Sequence, residues 1–178
     1  MNQKAHITQT ALSLFAEQGY GNTSIAMIAR KAGVAQGLMY NFYPSKEALL
    51  TAILMEGMAD VQESMVAYIQ TRDPKAALRH HIQSTVRTVV ARQEFWRLFH
   101  AIRTQKIVQD ILGEPFRAAS ASIVKTLAAN LRKLQYPNPT QEARLLFAQI
   151  DGMVGLYLLD PKGFDLHKMQ KQLLKKYA

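Results

Sequence analysis

The chain has 178 residues and no cysteine, so it has no disulfide framework and no thiol chemistry. No apolar run has the length needed to cross a bilayer, and the N-terminus, Met-Asn-Gln-Lys-Ala-His, is not a secretory signal. A soluble, cytoplasmic protein is expected. Internal repeats and low-complexity segments are missing too. β-Branched residues gather only at 85–90, where no turn residues bound them, so no strand is expected. The motifs of catalysis are also absent: no nucleophile elbow, no phosphate-binding loop, no paired carboxylates, no His-Glu-x-x-His. Of the histidines His6, His80, His81, His100 and His167, the adjacent His80 and His81 point about 100° apart on a helix and do not converge. No metal, no cofactor and no enzymatic activity are expected.

Acid is scarce as well. Thirteen Asp and Glu stand against 22 Lys and Arg, a formal charge of +9. Such a balance suits nucleic acid or an anionic surface as partner, though weakly by itself. Residues 1–46 carry four cations (Lys4, Arg30, Lys31, Lys46) against the single acid Glu17, and the remainder carries eighteen against twelve. The first segment has the cleaner bias.

Residues 23–46 are the most informative stretch. Thr23 and Ser24 are both N-cap types and an apolar run follows at once. Ile25, Ile28 and Ala29 fall at i, i+3 and i+4, the spacing of one buried helix face. Arg30 and Lys31 precede Gly33, as at a helix C-terminus with a left-handed cap. A second short helix fits 35–41, and Pro44 stops it. Ser45 then caps the next helix. Two short helices joined by a glycine turn make a helix-turn-helix, whose second helix enters the DNA major groove. Before it, residues 3–18 read as a helix with the stripe Ile7, Ala11, Leu14 and Phe15, ended by Gly19.

The residue types assign contacts. Lys46, at a helix start, can meet a phosphate together with free backbone N–H groups. Thr23 and Ser24 offer hydroxyls, and Tyr40 a phenol. Gln36 lies at the base-reading end of the second helix and suits adenine. Gly37 permits close backbone approach. Leu38 and Asn41 are secondary contacts. The segments Ala11-Leu12, Leu14-Phe15-Ala16, Gly19-Tyr20, Thr23-Ser24, Ile28-Ala29, Ala32-Gly33-Val34, Gly37, Tyr40 and Ser45-Lys46-Glu47-Ala48-Leu49 resemble, without gaps, the DNA-binding domain of the TetR family of bacterial transcriptional regulators. That resemblance supports the same contact positions. Two departures stand out. Tyr43 replaces a usual Phe and needs a partner for its hydroxyl, and Ala26-Met27 replaces a polar pair.

The rest of the chain reads as helices at 45–70, 74–92 (capped by Asp73, with Pro74 first), 94–104, 106–112, 114–134, 141–159 (capped by Thr140) and 165–177. The fold class is all-α: a helix-turn-helix domain over 1–47, then an antiparallel helical domain over 48–178 for effector binding and dimerisation. The resemblance implies that this second domain encloses an effector cavity, with Trp96, Phe99, Phe116 and Phe147 as walls and His81 or His100 as polar contacts. A half-buried structural role for His81 stays open beside that one. Asp151, in an apolar helix, either meets a cationic ligand or makes a structural pair. Leu145, Gly152, Leu156 and Leu159 in one helix and Leu166, Met169 and Leu173 in the last are expected at a two-fold dimer interface. Lys168, Lys171 and Lys175 form a solvated face, with a membrane-surface helix as the other reading. The expected function is ligand-responsive transcriptional regulation, most simply repression of an operator released by a small-molecule effector. The alternative is a helical-bundle ligand carrier or enzyme with a structural helix-turn-helix, and a third reading is an architectural DNA binder without an effector.

Overall fold

A computed structural model describes residues 2–178, with all side chains in that range except those of Asp60, Gln62, Ser64, Met65, Ala67 and Ile69. Every regular element among the described residues is helical: α1 (Gln3–Gln18), α2 (Ile25–Ala32), α3 (Gln36–Phe42), α4 (Lys46–Gln70), α5 (Pro74–Ala91), α6 (Gln93–Ile102), α7 (Lys106–Lys133), α8 (Pro139–Leu159) and α9 (Leu166–Tyr177). They form two compact units that are not contiguous in sequence. The first is Met1–Ala59 with Glu94–Ile111, the second Asp60–Gln93 with Leu112–Ala178. Residues 48–59 and 94–111 cluster with the helix-turn-helix in the first unit.

In the first unit the local signals place the elements. Asn2 caps α1 by accepting from Lys4 N, and Ser24 caps α2 by accepting from Met27 N. Gly33 adopts φ 67°, ψ 32°, the left-handed cap that ends α2. The core joins Ile7, Leu14 and Phe15 of α1, Ile28 of α2 and Met39 of α3 to Leu49, Leu50 and Ile53 of α4. Helix α6 adds Phe95, Leu98, Phe99 and Ile102. Its buried residues occupy one face, so it is amphipathic, not apolar all round. The Phe95 ring lies directly on the backbone of Gly57, and a Cβ at Gly57 would overlap it.

In the second unit α9 packs on α5 and α8. Its apolar stripe closes this unit's own core. Leu166 and Tyr177 are each 2% exposed, Leu173 is half-buried, and only Met169 stands open. The expectation that Leu166 faces a partner is thus corrected: α5 and α8 use up that surface first. The outward apolar surface is on α8, where Leu145, Leu156 and Leu159 are 56%, 54% and 84% exposed. Gly152 lies on the same stripe, with nothing within 4 Å of where its Cβ would be.

Two expectations about breaks fail. α7 runs unbroken through Gly113 and Pro115, where two helices were expected. Pro115 supplies no N–H to the carbonyl four residues earlier, but Val108, Leu112, Ile123 and Leu127 are buried along the same helix, and burial outweighs one missing bond. α8 starts at Pro139, not after a Thr140 cap. Asn138 precedes it in the left-handed region at φ 48°, making no side-chain cap.

Candidate nucleic-acid interface

The turn before α2 is held by a small polar network. Tyr20 packs edge-on against Phe15 at 5.1 Å and donates from its hydroxyl to Glu47 Oε1 at 3.2 Å. Burial, helped by the Glu47 charge and hydrogen bond, pushes its pKa up to about 12, so the phenol stays protonated. Lys46 Nζ donates to the carbonyls of Tyr20 and Thr23, each at 3.0 Å, and sits 4.3 Å from the Tyr20 ring centre. Lys46 was expected to serve a phosphate. Two of its three N–H bonds are instead spent on the turn that presents α2, which leaves one for a phosphate. Thr23 is corrected more sharply. It is 1% exposed, and its hydroxyl donates to Gly19 O at 2.9 Å. That hydroxyl ties the end of α1 to the start of α2 and is closed to DNA. Neither Tyr20 nor Glu47 was assigned a role from sequence, because residue type alone does not say which way a side chain turns.

The remaining expected contacts lie on α3 or just before α2. Ser24, Gln36, Gly37, Tyr40 and Asn41 are exposed, Tyr40 by 49%, and Leu38 is half-buried. The side chain of Ser24 accepts from Met27 N, and its own O–H remains to donate. Gln36 is the first residue of α3, and the space beside Gly37 is open. Beneath them Met39 is fully buried and Tyr43 is 5% exposed. Tyr43 finds its hydroxyl partner in Thr8 Oγ1 at 2.7 Å, which satisfies the phenol at that departure from the family pattern. From Gln18 to Lys46 there is no acidic residue at all. Helices α2 and α3 themselves therefore offer donors and amides and no carboxylate, and the one acid paired with them, Glu17 of α1, is matched to Lys31 at 3.3 Å.

The six expected effector residues fall in both units. Trp96, Phe99 and His100 share the first, with Trp96–Phe99 and Trp96–His100 ring centres 5.9 and 6.4 Å apart. Phe116 and Phe147 are half-buried in the second, as is Asp151. His81 is buried there, not half-buried. Its ring stacks on Tyr68 at 5.1 Å, and Tyr68 OH accepts from Asn130 Nδ2 at 3.4 Å. His81 Nε2 is buried without a hydrogen-bond partner. Burial, with a smaller push from His80, lowers the His81 pKa from 6.5 to about 4, so the ring is neutral near pH 7. The unfolded chain then binds the extra proton first as pH falls. Stability should be full above about pH 6.5, drop towards pH 4 and level off below, by about 3 kcal/mol for this group. Urea unfolding of the wild type and His81→Phe across that window checks it: the variant should lose this share of the slope. Parallel pH profiles would remove His81 as the source.

Residues 7–53 match the family model described as bacterial regulatory proteins, tetR family, and residues 74–178 match the model of the BetI-type transcriptional repressor C-terminal domain. Among curated proteins, the chain is 28% identical over 178 residues to the HTH-type transcriptional regulator AcrR of Shigella flexneri, covering 93% of this chain and 82% of that one. It is 33% identical over 91 residues to the uncharacterized HTH-type transcriptional regulator YuxN of Bacillus subtilis (strain 168); that match spans 50% of this chain and only 31% of YuxN. Among solved structures, a putative fatty acid metabolism regulator of Clostridium perfringens superposes with a TM-score of 0.80 at 21% identity, over 95% of this chain and 94% of that one. No described helix is long and apolar enough to cross a membrane.

Proposed function

The chain belongs to the TetR family of bacterial transcriptional regulators, and on that premise we propose that it is a cytoplasmic homodimeric repressor released from its operator by a small molecule. The observation that carries the DNA-reading part is the absence of acid from α2 and α3 themselves, with Gln36 exposed at the start of α3. Residues 1–47 form the reading head, and 48–178 bind the effector and pair the subunits. Ser24, Tyr40 and the remaining N–H of Lys46 hold phosphates. Gln36, Gly37, Leu38 and Asn41 face the bases. Thr23 serves by positioning α2.

The effector acts by binding the operator-competent and operator-incompetent states with different affinity. Helix α4 carries the chain from the reading head into the second unit, so a change there has a covalent route to the DNA-binding helices. An apolar or amphipathic molecule held within the second unit by Phe116 or Phe147, with His81 as a polar contact, suits that scheme. Membership of a family of transcriptional regulators argues against the alternative of a carrier or enzyme.

Selection from random duplex DNA tests the reading. The wild type should enrich a near-palindromic site, and retention of all sequences alike would overturn it. Gln36→Ala should relax preference at one base pair per half-site, at a cost of ~1–3 kcal/mol. Equal losses on operator and random DNA would remove Gln36 from the base-reading set.

A further inference from the structure

We propose that an open groove between the C-terminal half of α7 and the first turns of α8 binds a small organic anion with an apolar body. The groove is open to solvent, offers about 550 Å³, within the range of small-molecule sites, and lies wholly in the second unit. None of the residues expected to meet an effector lines it.

Its chemistry is two-sided. Ala121, Val124 and Ala128 of α7 supply apolar surface. Lys125 and Arg132 of α7 and Arg144 of α8 also line it, with Ser120 and Thr140, although most of its accessible surface is apolar, so their charges belong to its margin. Ala121, Lys125, Ala128 and Arg132 recur at i, i+4, i+7 and i+11, so cations and small residues alternate along one stripe. The small residues leave room for a ligand body between the cations.

The charges are uncompensated. Several exposed cations elsewhere pair with acids: Lys31 with Glu17, Lys106 with Asp110, Arg117 with Glu114 and Lys176 with Glu142. No described acid lies within ion-pair distance of Lys125, Arg132 or Arg144. Three like charges around one concavity raise the local concentration of anions. Two arginines also offer planar forks suited to a carboxylate or phosphate monoester. A fully hydrated inorganic ion would leave the apolar wall unused, and a neutral alkane would leave the cations unused. The occupant is therefore a single amphipathic anion taken from solution.

The test uses n-octyl phosphate on the intact protein by calorimetric titration, with n-octanol and inorganic phosphate as the two halves of the ligand. Octyl phosphate should bind at least about tenfold more tightly than either half. Arg132→Gln and Arg144→Gln should each weaken it by roughly tenfold. Both side chains are exposed, so the variants should fold, and unchanged melting temperatures establish that. Equal affinity for octanol, no binding at all, or binding untouched by both substitutions would overturn the proposal. Co-sedimentation with phosphatidylglycerol vesicles that depends on the same arginines would also overturn it, in favour of a lipid surface. Failure in any of these ways leaves the operator-selection result unaffected.

Discussion

Leu156→Glu should convert a dimer into monomers and weaken operator binding by on the order of 10²–10⁴-fold, the avidity lost when two reading heads are no longer joined. The exposed stripe of α8 runs through Gln141, Leu145, Ala148, Gly152, Leu156 and Leu159, at intervals of four, three, four, four and three. That is the spacing of a seam made to receive another helix. Three leucines more than half exposed on one stripe are a costly surface for a lone subunit. Gly152, in the middle, removes the side chain that would hold a partner helix away, and Ala148 one turn earlier is nearly as small. Two-fold pairing along this stripe also joins two α3 helices in one molecule, as a near-palindromic site demands. Because Leu156 is open to solvent, its replacement spares the core. Sedimentation equilibrium at micromolar concentration, with operator binding by fluorescence anisotropy, decides the matter. A variant that stays dimeric, or a wild type that sediments as a monomer yet binds operator tightly, would sink this interface.

Gly57→Val should destabilise the protein by roughly 3 kcal/mol, at the upper end of the cost of overpacking a core. Any residue other than glycine or proline improves helix propensity at this position by up to about 1 kcal/mol, so the sign depends on whether the Phe95 ring can yield. It is poorly placed to do so. Phe95 is 1% exposed and confined by Trp96 and Phe99, with ring centres at 5.4 and 6.1 Å. Beside it Glu94 Oε2 accepts from Gln9 and Ser13 of α1, at 3.1 and 3.0 Å, so the start of α6 is fastened on a second side. Trp96 is the only tryptophan, and its fluorescence reports this cluster during urea unfolding. Adding Phe95→Ala should make the pair less damaging than the sum of the single changes, because removing the ring relieves the overlap that the valine creates. Strict additivity would mean that the ring and the glycine do not meet.

What the sequence disclosed follows from how local each signal is. Ser24, Gly33 and Asp73 act on backbone groups within four residues of themselves, and their caps or turns fall at the helix ends they mark. Pro115 and Gly113 are local signals too, but buried neighbours on both sides overrode them. Side-chain direction was least legible. Thr23 and Ser24 are adjacent hydroxyls of similar chemistry, yet one is buried against α1 and the other caps α2 in solvent. Lys46 reads as a free cation until two carbonyls are seen to hold it. The α9 stripe was read correctly as apolar. Which surface it covers depends on α5, far away in sequence, and no spacing rule carries that information.

Pro115 also bears on how α7 opens. With no amide hydrogen at 115, one rung of the ladder is missing between that residue and Ile111. The first compact unit ends at Ile111, and the second resumes at Leu112. If each compact unit opens as a whole, backbone amides on either side of this point should draw their protection from different units. Solvent deuterium would reach residues 106–111 at the rate set by the fluctuations of one unit and 116–133 at the rate set by the other. By geometry α7 is one helix, and deuterium exchange should divide it into two segments at this point.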